Sequence, residues 1–198
     1  QENYITLSHQ FRMQCSDTTT EWLRRFVFDH AVDVFIHDEK GYDVKSFNTP
    51  SELYSAIKKK AELEESKLSR VVATYDWSYS NRQKDDGYWG VQIDDFFLPW
   101  NYELERTLGS KEKRHIRNLA WAEQPQTINE IGSTFTIQGF DLSYVGVILG
   151  PLVSSSKYLL SASRFAFNKS FIISPPFQSH NHLVLVLLFY KSLYFQHL

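Results

Sequence analysis

Apolar and polar positions along this chain switch between a period near two and a period near three and a half, and the switches mark its elements. Tyr4-Ile5-Thr6-Leu7 reads as a short strand. Ser16-Asp17 then offers a helix N-cap, and Trp22, Leu23, Phe26 and Val27 recur at helical spacing. Val34-Phe35-Ile36 is a short extended piece, and Tyr42 to Phe47 alternates as a strand. The clearest local signal is Thr49-Pro50-Ser51-Glu52: threonine at the N-cap, proline at the first helical position and glutamate two residues on form a capping box, worth about 1 kcal/mol. Leu53, Ile57 and Ala61 mark the apolar face of the helix it opens. Lys58-Lys59-Lys60 and Glu62, Glu64 and Glu65 crowd the rest and read as a solvated face, because both signs are interleaved. Arg70 to Tyr75 is a β-branched run of the kind found in a buried strand. Asn81 to Gly90 is a loop or hairpin, and Val91 to Phe97 returns as a strand that Pro99-Trp100-Asn101 stops. Residues 102–130 hold one helix and irregular linkage. Gly132 to Ile137 is expected to be extended and Phe140 to Tyr144 a short helix, with Val145 to Leu149 a buried strand ending in Gly150-Pro151. Strands alternating with helices predict an α/β domain with a largely parallel sheet flanked by helices.

Composition narrows this little. Of the 198 residues 42% are hydrophobic and 22% charged, which suits a globular domain with a real core. The formal net charge is −2, so no global basic field advertises nucleic acid and any such contact needs a local patch. One cysteine, Cys15, permits no internal disulfide and no cysteine cage for zinc, which points to a reduced, cytoplasmic setting. The longest apolar run, Leu183 to Tyr190, is far shorter than a membrane helix needs, so it reads as a core strand or a sticky end and no membrane partner is expected. The first residue is Gln1 and no signal sequence follows it, so the chain is expected to begin partway through a longer protein. Charge is unevenly placed: all 23 acidic residues lie at or before Asp141, and only Lys157, Arg164, Lys169 and Lys191 are charged after it. The segment 152–198 therefore reads either as a basic tail that grips phosphate or as a stretch foreign to the fold, as after a frameshift or truncation.

Two motifs carry chemistry. His9-Gln10-Phe11-Arg12 directly follows the first strand, where a permanently charged, forked guanidinium suits a γ-phosphate and the preceding ring can stack on a base. Thr134-Phe135-Thr136-Ile137-Gln138-Gly139-Phe140-Asp141 leads into Tyr144 to Pro151. There a glycine allows close backbone approach to a ligand, and a helix N-terminus offers N–H groups to phosphate.

In this order the pair resembles motifs IV and V of superfamily 1 helicases. More narrowly, the chain is similar to an uncharacterised helicase-like P-loop ATPase family, described as ATP/GTP-binding proteins and related to the helicase region of Schlafen proteins. The segments that carry the resemblance are Gln10-Phe11-Arg12 with Ser16-Asp17 and Trp22-Leu23; Arg70-Val71-Val72-Ala73 with Tyr75-Asp76-Trp77; Pro99-Trp100-Asn101; Ala120-Trp121-Ala122; and Ile131-Gly132 through Pro151. It spans about residues 5–151. The resemblance implies a second RecA-like lobe over residues 1–151, with 152–198 an atypical tail. In such proteins ATP or GTP with Mg²⁺ sits between two lobes, and the first lobe supplies the P-loop lysine and the metal carboxylate. By that match Phe11 borders the base, Arg12 reaches the γ-phosphate, and Gln10 belongs to the same nucleotide site. Gln138 and Gly139 lie at the interlobe cleft, Asp141 near the ribose, and Ser133, Thr134 and Thr136 near nucleic-acid backbone. Asp141 stands where relatives commonly carry Glu. Arg164, in Ser161-Ala162-Ser163-Arg164, is a faint candidate for the arginine of motif VI.

No G-x-x-x-x-G-K-[ST] occurs in the sequence, and Asp94-Asp95 reads as a solvated loop edge rather than a metal carboxylate. The expected partner is therefore a separate N-terminal P-loop domain, with DNA or RNA left open, and the chain alone is expected to be inactive. The alternatives are a non-enzymatic module, derived from such a lobe, that binds nucleic acid or protein, and a degraded gene product. His180-Asn181-His182 has no third ligand and reads as incidental, and Cys15 as an idle thiol.

Overall fold

Ser16 opens the first helix, α1 (Asp17–Phe28), with extended backbone and a hydroxyl that accepts from the Thr19 N–H at 3.3 Å. Asp38 ties this turn down from outside. Its carboxylate accepts from the Ser16 N–H and hydroxyl, both at 2.8 Å, from the Lys40 N–H at 2.7 Å, and from the Thr19 hydroxyl. Burial alone would raise the Asp38 pKa, but these hydrogen bonds outweigh it and hold the carboxyl at about 2. Trp22 and Leu23 are the buried side chains of the apolar stripe, while Val27 faces solvent. The computed structural model describes residues 15–29, 31, 33, 35–40, 42–63 and 68–150, and the backbone of 185–188. The expected Tyr4–Leu7 strand lies outside the described residues, as does Val34; Phe35 and Ile36 beside it belong to no strand.

The helix starts where the spacing predicts, with the threonine half of the capping box in place. In α2 (Pro50–Ala61) the Thr49 hydroxyl accepts from the Glu52 N–H at 3.2 Å, and the Glu52 carboxylate reaches one residue further back, to the Asn48 N–H at 3.1 Å. Leu53 and Ile57 are fully buried. Two lysines of this helix lie over rings: Lys58 is 5.3 Å from the Tyr54 ring centroid and Lys60 4.4 Å from that of Tyr144.

The centre of the fold is a three-stranded, wholly parallel sheet in the order β5 (Ile131–Gly132), β2 (Ser69–Ala73), β6 (Tyr144–Ile148). Every residue of β2 is buried, as an apolar strand covered on both faces must be. In register, Val71 pairs with Gly146 and Val72 with both Gly132 and Val147. One face carries α2. It can lie close because residue 146 is glycine: a Cβ there would sit 2.6 Å from Leu53 Cδ1 and 3.0 Å from Ile57 Cγ1. The other face is covered by the 3-10 segments Trp121–Glu123 and Pro125–Asn129. A Cβ at Gly132 would meet Trp121 Cη2 at 2.7 Å, and Arg70 donates to the Thr127 hydroxyl at 2.8 Å and to the Gln124 carbonyl at 3.3 Å. Burial draws the Arg70 pKa down to about 10. Glu130, just before β5, accepts from Trp121 Nε1 at 3.3 Å, and burial pushes its carboxyl up to about 7. This is the α/β architecture expected from the sequence, and it is compatible with a RecA-like domain.

The hairpin β3 (Gly90–Ile93) and β4 (Phe96–Pro99) turns at Asp94-Asp95, with Asp94 at φ +48°. The single strand expected over Val91–Phe97 is thus two antiparallel strands, and the two aspartates are the solvated loop edge that their charge suggests. Trp100 extends the hairpin onto the main sheet by bridging Ile131, with the Asn101 N–H donating to the Ile131 carbonyl at 3.0 Å. Residues 102–130 hold one α-helix, α3 (Ser110–Ile116), among 3-10 turns. The apolar run near the C-terminus supplies a strand, β7 (Leu185–Leu188), antiparallel to β1 (Asp43–Ser46).

Two expectations fail between β5 and β6. The strand expected over Gly132–Ile137 ends at Gly132, and no helix forms over Phe140–Tyr144. Ser133 and Thr136 divert the backbone into a turn of their own. The Thr136 hydroxyl accepts from the Ser133 N–H at 2.8 Å and donates to the Ser133 carbonyl at 2.9 Å, replacing a ladder with a local motif. Gly139 then takes φ +79°, a left-handed geometry in which a helix does not start.

Candidate functional site

Because β2, β5 and β6 are parallel and in register, Ala73, Gly132 and Ile148 end at one edge, the place where open α/β sheets gather ligands. Three strand-end segments meet there. The Thr74 N–H donates to the Ile148 carbonyl at 3.0 Å, and the Gly150 N–H donates to the Thr74 hydroxyl at 2.7 Å. That hydroxyl in turn donates to the Asp76 carboxylate at 2.5 Å. Gly150 lies so close to Asp76 that a Cβ would overlap it. The crossing therefore fixes the segment after β2 against the segment after β6.

Beside it, the turn after β5 presents Ser133, Thr134, Phe135 and Thr136. Ser133 is fully buried, Thr136 half-buried and Thr134 exposed. The Phe135 ring is 72% exposed and stands edge-on to the ring of Tyr75, itself 50% exposed, at 5.5 Å between centroids and 89° between planes. Tyr75 leans on the fully buried Trp100 at 5.1 Å, which also contacts Trp77 and Tyr79. The result is a pair of outward-facing rings held from behind by a rigid aromatic base. Such rings can stack on a flat heterocycle, and the adjoining Thr134 hydroxyl, exposed beside them, can donate to a phosphodiester oxygen.

The other expected site residues are placed differently. From Ser133 the chain runs back along the sheet, and by Ser143 its N–H reaches the Leu68 carbonyl, at 2.9 Å, beside the amino ends of β2 and β6. Gln138, Gly139 and Asp141 lie on this returning stretch, all exposed. Ser133, Thr134 and Thr136 are thus at the strand-end edge, whereas Gln138-Gly139 does not itself follow a strand end. Gln10, Phe11, Arg12 and Arg164 lie outside the described residues, as do His180 and His182. Cys15 is buried, its thiol 3.4 Å from the Thr20 hydroxyl. Among the described residues no group of three His, Cys, Asp or Glu side chains is placed to hold a metal, and no helix is long and apolar enough to cross a membrane. Residue patterns alone did not single out Tyr75 with Phe135, or the Thr74–Asp76–Gly150 crossing. The available signal was a Thr-x-Asp directly after a buried strand.

A model of the family described as Schlafen group 3, DNA/RNA helicase domain, matches residues 1–170. The match runs past Pro151 and includes Arg164. The chain is also similar to the uncharacterized protein YPL245W of Saccharomyces cerevisiae, 29% identical over 160 residues, which cover 75% of this chain and 32% of that protein. The chain thus spans about a third of the length of that relative. No solved structure gives a significant match.

Proposed function

The chain belongs to the Schlafen group 3 DNA/RNA helicase domain family, and from that membership we propose that it acts as the second RecA-like lobe of a superfamily 1 helicase-like ATPase. In this reading its strand-end edge touches single-stranded DNA or RNA, and its other motifs sense a nucleotide held by a P-loop domain. Thr134 meets the nucleic-acid backbone, presented by the turn that Ser133 and Thr136 hold. Arg12 reaches the γ-phosphate, with Phe11 at the base and Gln10 beside them, Gln138 and Gly139 at the interlobe cleft, Asp141 near the ribose and Arg164 at the transferring phosphate. ATP or GTP with Mg²⁺ would bind only in combination with that P-loop domain. The observation that carries the reading is the Tyr75–Phe135 pair beside exposed Thr134, on the edge where three parallel strands end.

The test is binding of a fluorescently labelled single-stranded oligonucleotide to the full chain, read by anisotropy. Phe135→Ala removes a mostly exposed ring, so the fold should survive. Affinity should fall by roughly fivefold to a hundredfold, the worth of one stacked base. Thr134→Ala should cost less, as one hydroxyl contact does. Unchanged affinity in Phe135→Ala would remove nucleic acid from this edge.

A further inference from the structure

The basic residues of α3 stand apart from the paired cations elsewhere in the described chain. Arg24 pairs with Glu21 and Asp29, Arg25 with Asp33, and Arg106 with Glu103. Lys58 and Lys60 are laid over aromatic rings. On α3 the arrangement is the reverse. Lys111, Arg114 and His115 fall three and four residues apart, hence on one helix face. Together with Leu108, Ile116, Pro125 and Gln126 they line a cleft of about 830 Å³. Among the described residues none of the three makes an ion pair or a side-chain hydrogen bond. The acid at the cleft, Glu112, is committed elsewhere, since its carboxylate accepts the Gly109 N–H at 2.8 Å in the cap of α3. Exposed Arg117 adds a further positive charge just beyond the helix.

We infer that the cleft lined by Lys111, Arg114 and His115 is a second anion site, one that holds the phosphodiester backbone of a nucleic-acid strand. Unpaired cations gathered on one face of a chain whose net charge is negative create a local field that the whole molecule lacks. Lysine and arginine meet phosphate without reading base identity, so the site adds affinity and not sequence preference. Leu108, Ile116 and Pro125 give the cleft apolar lining against which a sugar can lie. The cleft is defined by the geometry alone; the choice of nucleic acid over an acidic polypeptide rests on the helicase-family reading above.

The decisive variant is Lys111→Gln with Arg114→Gln, at two exposed positions whose side chains the fold does not need. Labelled oligo-dT and oligo-U are titrated against the full chain at several salt concentrations. The double variant should bind on the order of tenfold more weakly at low salt, equally for both oligonucleotides, and the slope of log K against log salt should shrink by about 1.4. Between about 50 and 200 mM salt it should therefore lose about sevenfold less affinity than the parent. An unchanged slope overturns the inference, as does a parent chain that binds no oligonucleotide. Polyglutamate that binds the parent and not the double variant, with oligonucleotide binding equal in both, would assign the cleft to acidic protein and also overturn it. The two sites are separable: loss in Phe135→Ala alone leaves the strand-end reading standing and sinks this one, while loss in the double variant alone does the opposite.

Discussion

Incubated with Mg²⁺ and ATP or GTP, the purified chain is expected to release phosphate at the rate of the uncatalysed reaction. Phosphoryl transfer needs backbone N–H groups and a lysine around the β- and γ-phosphates and a metal bridging them. The 198 residues contain no G-x-x-x-x-G-K-[ST] to provide them. In the second-lobe reading Arg12 would stabilise charge on a phosphate already in place, and it cannot replace the groups that place it. Single-stranded nucleic acid should leave the rate unchanged. Hydrolysis by this chain that disappears in Arg12→Ala would mean that its own residues build a complete nucleotide site, and would sink the second-lobe reading.

The second large effect concerns the contact that sets the spacing between α2 and the sheet. Leu53→Ala should cost about 2–5 kcal/mol, because a fully buried side chain is lost and a cavity remains over β6. Gly146→Ala should cost about 1–3 kcal/mol for the opposite reason, since its new methyl would lie 2.6 Å from Leu53 Cδ1. The pair should not be additive. In the double variant the methyl at position 146 enters the space that Leu53 vacates, so the combined loss should fall short of the sum by at least about 1 kcal/mol. Urea unfolding of the four proteins measures this. Simple additivity would show that α2 does not rest on Gly146.

What was legible in the sequence was what short-range chemistry decides. Thr49, Pro50 and Glu52 specify a helix start within four residues, and the run at Arg70–Ala73 can only be a covered strand. The stretch after Gly132 misled because its apolar–polar alternation fits a strand, while Ser133 and Thr136 hold the same backbone in a turn through their own hydroxyls. Tyr75 and Phe135 are sixty positions apart, and only the β2–β5 register brings them to one edge. The cations of α3 went unnoticed for another reason. They sit in a mixed-composition stretch, and a net charge of −2 averages them away, so only their gathering on one cleft without ion pairs sets them apart.

The claim on which the functional reading turns is that motif IV and motif V close on one nucleotide cleft. A cross-link between them tests it most directly. In a Cys15→Ser background, Arg12→Cys and Gln138→Cys are joined by a thiol reagent spanning about 10–15 Å, the reach of a nucleotide's phosphates and ribose. Tyr75→Cys with Phe135→Cys, whose native rings are 5.5 Å apart, is the positive control. The predicted result is an intramolecular link between residues 12 and 138, identified by peptide mass spectrometry, in yield comparable to the control. A control that closes while the 12–138 pair stays open would contradict it.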